Sequence, residues 1–357
     1  MSAINKFSRR LRIGLAKLFF DKKAKTKELD ISKIDTIAFI IHDGRLGDTT
    51  IATLSFREIK KKYPDIKIAI ICTQNVREIL KYNRDVDEIC CISGNFFKDI
   101  FIYKQFAKLK KILLIDFFEF DLRLFHFLTL RILNPYFLIG FYKSKYKFFN
   151  KSFEQNFNDK HFSLRHKLVL NFLNIDNPDL SYNIKFSKKE IIKAKQYINL
   201  AGQKFKLVLN PFASSKHRTL SIKQIEDLIF QIQKVKDVYF YILCPYGRTL
   251  NFCGILADQT CIVKHEGILS VAALISFCDF VISPDTSIIH IASAFNKKTI
   301  GLYLDFSDRA EKTDIIWGPN NINAKIINVD RQDLQLENDV KNIEVEKIVG
   351  LFLEMTK

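Results

Sequence analysis

From Ile34 onward the chain alternates short apolar runs with segments whose apolar residues recur at helical spacing. "TIAFIIH" is followed by "TTIATLSFREIKKKYP", then by "KIAIICT", "NVREILKYN" and "VDEICCIS". That order is strand, helix, strand, helix, strand, the signature of a parallel sheet covered by helices on its faces. "KKILLIDF" predicts a further strand near residue 110, and a Phe- and Lys-rich stretch then runs from about 117 to 170. A second cycle opens at "FKLVLNPFA" and continues with the helix "SIKQIEDLIFQIQKV", the strand "VYFYILCPYG" and a helix near "TLNFCGILADQ". The strand "CIVKH", the helix "LSVAALISFC", the strand "DFVISPD", the helix "SIIHIASAFN" and the strand "KTIGLYL" complete it.

Two such cycles predict an α/β protein of two Rossmann-like domains facing a cleft. The expected division is residues 34–185 and 186–335, preceded by a basic amphipathic extension, 1–33, and followed by a terminal helix, 336–357. In the extension Ile4, Phe7, Leu11, Leu15, Leu18 and Phe19 lie at helical spacing between basic residues. Such a helix can lie on an anionic bilayer or dock on the protein's own body, and the pattern fits both. Its apolar stretch "IGLAKLFF" is short, contains Lys17 and lacks a small-residue cleavage site, so it does not read as a secretory signal.

Length and charge narrow the chemistry. A chain of 357 residues that is 48% hydrophobic can build a core in each of two domains. Its formal charge of +17 predicts an acidic partner: nucleic acid, anionic lipid or phosphorylated sugar. The basic residues are dispersed and no nucleic-acid-binding motif is present, so nucleic acid is not expected. The seven cysteines include no C-x-x-C pair and no histidine at zinc spacing, which predicts free thiols and no bound metal.

In doubly wound sheets ligands sit beyond the carboxyl ends of the strands, and four places there carry chemistry. The turn Gly44-Arg45-Leu46-Gly47-Asp48 lacks both the dinucleotide and the Walker spacing and ends in an acid. A carboxylate at a helix N-terminus is held charged, so Asp48 can accept a proton in the cleft or simply cap a helix beginning near Thr49. In "NPFASSKHRTLS", Ser214, Ser215, Lys216 and Arg218 supply donors suited to a diphosphate. In "SPDTSIIHIASAF", Asp285 ends a strand, Thr286 and Ser287 open a helix whose positive end suits phosphate, and His290 follows. The stretch from Lys143 to Lys167, with Lys145, Lys147, Lys151, Lys160, His161, Arg165 and His166, reads as an anion-binding face or a solvated loop.

These pieces occur together in one family. "IAFIIHDGRLGDTTIATLSFREIKKKYPDIKIAII" resembles the opening of the lipopolysaccharide heptosyltransferases, glycosyltransferase family 9, and "VISPDTSIIHIASAFNKKTIGLY" resembles their second signature. "LVLNPFASSKHRTLSIKQIEDLI" is similar to the donor loop between them. The resemblance implies a GT-B fold with the acceptor on the first domain and the donor on the second. It implies inverting transfer of a heptose from ADP-L-glycero-D-manno-heptose to the phosphorylated Kdo-lipid A or extended inner core of lipopolysaccharide, without metal or other cofactor. The enzyme would then be cytoplasmic, peripheral on the inner face of an anionic inner membrane.

Carried over by position, Asp48 matches the general base. Asp285, Thr286, Ser287 and His290 match the donor site with Ser214, Ser215 and Lys216 or Arg218. Arg45, Lys143, Lys145, Lys147, Arg165 and His166 fall on the acceptor side. Arg248 and Asn251 stand where relatives usually carry a ribose-binding glutamate. The alternatives are a sugar-nucleotide epimerase or hydrolase on the same fold and an inactive glycolipid-binding relative.

Overall fold

The computed structural model describes residues 13–14, 17–24, 26, 28–41, 44–252, 259–265, 267–305, 307, 311–330 and 338–357. The first sheet contains β1 (Thr36–Ile41), β2 (Lys67–Thr73), β3 (Glu88–Ile92), β4 (Ile112–Asp116), β5 (Phe137–Phe141) and β6 (Lys151–Phe153). The helices around it are α1 (Leu46–Lys62), α2 (Gln74–Leu80), α3 (Phe96–Phe106), α4 (Leu124–Leu133) and α5 (Ser163–Phe172). The second sheet contains β7 (Phe205–Leu209), β8 (Val238–Pro245), β9 (Thr260–His265), β10 (Phe280–Pro284), β11 (Lys298–Tyr303) and β12 (Ala324–Asn328). Its helices are α6 (Lys188–Ile198), α7 (Ile222–Val235), α8 (Ile268–Phe277), α9 (Ser287–Ala294), α10 (Thr313–Ile316) and α11 (Val345–Thr356).

Both sheets are parallel throughout, in the orders β3-β2-β1-β4-β5-β6 and β12-β11-β10-β7-β8-β9. Strands covered on both faces must be apolar along their whole length, which is why "TIAFII" and "FVISP" are buried almost end to end. The chain reverses direction across the sheet between β1 and β4 in the first domain and between β7 and β10 in the second. Those switch points open crevices at the carboxyl ends of the strands, and the turns expected to carry chemistry lie there.

Two apolar layers flank the first sheet. Alternate residues Ala38 and Ile40 of β1 face α3 and α4, while Ile37 and Phe39 share a core with α1 and α5. That second core continues into the other domain through Val208, Tyr241 and Ile288, so the domains share a packed seam. The seam is also bonded: the Phe162 amide donates to the Ile316 carbonyl at 2.9 Å, and the Lys312 amide to that of Asn158 at 2.8 Å. The Phe162 ring stacks on Trp317 at 4.5 Å. The connecting segment is pinned to α1, with Arg57 donating to the carbonyls of Asp179 and Ser181 at 2.6 and 2.8 Å.

The Phe- and Lys-rich stretch, which shows no clear period in the sequence, supplies β5, β6, α4 and α5, and β12 adds a strand that the pattern did not announce. The terminal helix is part of the second domain. Phe352 of α11 meets Phe280 edge-on at 5.0 Å and closes the outer face of that sheet. Residues 13–14 and 17–20 of the N-terminal extension are helical, and the rest of residues 1–16 lies outside the described residues. The helix expected near "TLNFCGILADQ" falls largely there as well, since residues 253–258 are not described.

Candidate active site

On the second domain, the strand ends β7 and β10 are tied by a polar network. Asn210, just after β7, is buried, and its Nδ2 donates to Ser283 Oγ at 2.9 Å and to Thr286 Oγ1 at 3.2 Å. Thr286 caps α9, its Oγ1 accepting from the Ile288 amide at 3.3 Å. The positive end of α9 therefore opens at the switch point, where an anion is favoured.

The loop after β7 turns on Ser215, whose Oγ accepts from the His217 amide at 3.3 Å and starts a single 3₁₀ turn, Lys216–Arg218. That turn sends neighbouring cations in different directions. Lys216 is exposed. Arg218 reaches inward, donating from Nη1 to Asp285 Oδ2 at 2.7 Å and to the Asp285 carbonyl at 3.1 Å, and from Nη2 to Ser214 Oγ at 2.9 Å. Burial raises the Asp285 carboxyl above the usual carboxylate range, against the opposing pull of Arg218 and, across the cleft, of Arg45.

On the first domain, the turn after β1 needs Gly44, which has φ of +67° and stands so close to Thr73 that a Cβ would lie 2.8 Å from its Oγ1. α1 begins at Leu46, with Arg45 in the N-cap position and no side-chain cap bond. Asp48 is therefore not the N-cap of a helix starting at Thr49, as one sequence reading had it. It occupies the first turn, where the helix dipole favours its negative charge.

The two halves meet at Gly47 and His290. His290 is buried, and its Nδ1 has no hydrogen-bond partner among the described residues. Burial pushes its pKa down to about 3, so the ring is neutral at neutral pH. It packs between the start of α1 and Tyr182, whose ring centroid is 6.2 Å away. This side chain, expected beside a diphosphate, makes a contact between the two domains.

The basic stretch of the first domain is not the exposed anion-binding face that was one expectation. Lys143 is fully buried, its Nζ donating to the Phe120 carbonyl at 2.7 Å, and desolvation lowers its pKa. Arg165 is buried in an ion pair with Glu119, Nη2 to Oε2 at 3.2 Å, with its guanidinium over Phe157 and Phe162. His166 is buried too, Nδ1 lying 2.8 Å from Ser55 Oγ and the ring stacked on Phe117 at 4.1 Å. Phe rings and carboxylates from the same Phe-rich stretch enclose these groups, which local sequence does not reveal. Lys145 and Lys147 stay exposed, the former paired with Asp121.

A family model described as "Glycosyltransferase family 9 (heptosyltransferase)" matches residues 137–343, more than half of the chain. The chain belongs to glycosyltransferase family 9. The "Putative lipopolysaccharide heptosyltransferase 4" of Escherichia coli (strain K12) is 24% identical over 317 residues, covering 87% of this chain and 86% of its own. A family 9 glycosyltransferase from Veillonella parvula DSM 2008 superposes with a TM-score of 0.73 at 11% identity, over 92% of this chain and 99% of the other. E. coli ADP-heptose lps heptosyltransferase II superposes with a TM-score of 0.67 at 12% identity, over 90% and 98%. E. coli heptosyltransferase WaaC, solved with ADP, has a TM-score of 0.64 at 12% identity, over 90% and 99%. The paired sheets and their cleft are thus the GT-B fold of a glycosyltransferase.

For this family 9 enzyme the sequence reading missed Asn210 and Asp116. Asn210 was visible only as the polar end of "LVLN". Asp116 ends β4 at the first domain's switch point, fully interior, with its pKa raised by burial to about 6. An apolar strand closing in an acid, "ILLID", was the available signal. Among the described residues no group of three or more His, Cys, Asp or Glu is placed to hold a metal ion.

Proposed function

We propose that this enzyme transfers a heptose from ADP-L-glycero-D-manno-heptose to the inner core of lipopolysaccharide with inversion, Asp48 serving as general base. The observation that carries the reading is the facing of unlike sites across one cleft. A helix-terminal carboxylate stands on the first domain, and Arg218, Thr286 and the start of α9 stand on the second.

In that arrangement the acceptor hydroxyl attacks the anomeric carbon from the first-domain side and loses its proton to Asp48. The bond from that carbon to the diphosphate breaks on the opposite face. ADP leaves with a developing negative charge, which Arg218 and the amides at the head of α9 are placed to balance. Asp285, held by Arg218, orients that cation before the donor arrives. Binding of ADP, and of ADP-2-deoxy-2-fluoro heptose, by WaaC supports a sugar-nucleotide donor of this type.

The acceptor reading rests on family membership and charge, since a chain at +17 suits a phosphorylated glycolipid in an anionic leaflet. No helix among the described residues is long and apolar enough to cross a membrane.

The experiment is a thermal-shift panel of nucleoside diphosphates and sugar nucleotides, because a ligand that binds only the folded protein raises its melting temperature. A shift with ADP and ADP-heptose alone is the expected result. A shift confined to UDP or CDP compounds would overturn the donor. The Arg248 guanidinium lies 5.6 Å from the Phe212 ring centroid, beside the loop that follows β7.

A further inference from the structure

The outer layer of the first domain exposes aromatic side chains that glycosyl transfer does not use. α3 starts on Asn95, whose side chain accepts from the amides of Phe97 and Lys98, and it turns Tyr103 and Phe106 into the core. The opposite face presents Phe97 and Phe101, one helical turn apart and 73% and 66% exposed. Phe125 at the start of α4 stands edge-on to Phe97 with centroids 5.6 Å apart. Through Phe118, in contact with His126 at 4.6 Å, the surface continues to Phe120, which is 70% exposed.

The N-terminal segment joins the same side. Phe20 packs onto the core beneath α3 and α4, and Lys17 lies over the Tyr146 ring, while Leu18 and Phe19 remain exposed. The Asp21 carboxylate accepts from the Lys147 amide at 2.6 Å and holds the segment in place. Apolar side chains gathered on one surface in this way mark an interaction site.

Charge selects the partner. Lys98 and Lys104 of α3 and Lys108 just beyond it are exposed around the rings. The only acid of α3, Asp99, is buried and accepts from the amides of Ser93 and Gly94 at 2.8 and 2.9 Å. Rings fringed by lysines, with no acid on the helix face between them, match the two layers of an anionic lipid surface: an apolar interface beneath a sheet of phosphates. A second copy of the chain fits poorly, because a two-fold contact would set those lysines against their own kind.

We propose that this face, centred on Phe97, Phe101, Phe120 and Phe125 and extended by Leu18 and Phe19, docks the protein on an anionic phospholipid bilayer. α3 and α4 begin at the carboxyl ends of β3 and β4, the end of the sheet that also bears Arg45 and Asp48. Docking there brings the lipid boundary beside the acceptor side of the cleft. The inference rests on the reading of a membrane-bound acceptor, but binding to vesicles needs neither donor nor acceptor, so either can fail while the other stands.

The test is co-sedimentation of the full chain with phosphatidylcholine vesicles with and without about 30% phosphatidylglycerol. Wild type, Phe97→Ser/Phe101→Ser and Lys104→Glu/Lys108→Glu are compared, with the thermal melting temperature without ligand as a check on folding. Wild type should bind the anionic vesicles, and each double variant should bind about tenfold or more weakly while melting cooperatively near the wild-type temperature. Wild-type binding by the Phe variant, or equal binding of wild type to both vesicles, would overturn the proposal. So would a wild-type dimer that the Phe substitutions convert to monomer without changing vesicle binding, since the face would then belong to a second copy.

Discussion

His290 of the second domain lies against the α-carbon of Gly47 in the first, so close that a methyl group at position 47 would stand 2.8 Å from His290 Cδ2 and 3.3 Å from Nε2. The ring's Nδ1 is buried without a partner among the described residues, and the ring sits against Gly47 by close fit. A glycine and a neutral imidazole thus join the two domains at the start of α1, and the turn that bears Asp48 is held by that contact.

Gly47→Ala tests that fit. In an unobstructed helix the change would stabilise by up to about 1 kcal/mol. Here it should destabilise, by about 1–3 kcal/mol, because the methyl must displace a packed ring. A double-mutant cycle with His290→Ala, read by urea denaturation, should return a coupling of at least about 0.5 kcal/mol. Additive effects would show that the two residues do not touch.

Asp48→Asn separates the base from a charge that only stabilises α1. As base, its loss lowers turnover by on the order of 10²-fold or more while ADP binding is kept. As a dipole partner alone it is worth about 0.3–1 kcal/mol of stability, and turnover would stay near normal. Steady-state rates and calorimetric ADP titration on the same variant distinguish the two.

Arg218 and Lys216 should behave differently although they stand two residues apart. Arg218→Ala removes the cation that faces the cleft and leaves the Asp285 carboxyl buried without that partner. ADP affinity should fall by about tenfold or more, the worth of one or two charge-assisted bonds. Lys216→Ala should change it less than about threefold, as for an exposed lysine. The reverse ranking by calorimetry would move the donor site.

Stability should fall in acid. His166 and His290 are held near pKa 3 by burial, against an ordinary 6.5. Between those values the unfolded chain binds protons that the folded one refuses, so their contribution is complete above about pH 6.5 and is lost as pH falls toward 3. Each adds a slope of up to about 1.4 kcal/mol per pH unit. Asp116, raised from 3.8 to about 6, acts in the opposite sense: its contribution is complete below 3.8 and is lost as pH rises through 6. The net loss should therefore steepen below about pH 4. His166→Asn should flatten the urea midpoint against pH between 6 and 3, and an unchanged slope would mean that the ring titrates normally.

Much of the fold was legible because parallel strands buried on both faces leave uninterrupted apolar runs that no helix pattern imitates. β1, β2, β7 and β10 stand close to where "TIAFII", "KIAIIC", "FKLVL" and "FVIS" placed them. The stretch from 117 to 170 was not legible, since phenylalanine is frequent there on every face and erases the period. Its lysine and arginine were read as solvent-facing for the same reason. The acceptors that bury them, the Phe120 carbonyl and Glu119, are more than twenty residues away in the chain.

By itself the sequence determined the strand ends that bear Asp48, Asp285 and Thr286, because the rule that ligands meet the carboxyl ends of parallel strands acts on local pattern. It also determined the helix-terminal settings that favour negative charge, an acid on one side of the cleft and an anion opposite. Tertiary structure alone decided that Arg218 and not Lys216 turns toward Asp285, since one 3₁₀ turn sends neighbouring side chains in different directions. It alone decided that His290 is a neutral wedge against Gly47 and that Arg165 and His166 are interior. Burial is a property of what packs from the far side, and no stretch of chain carries that information about itself.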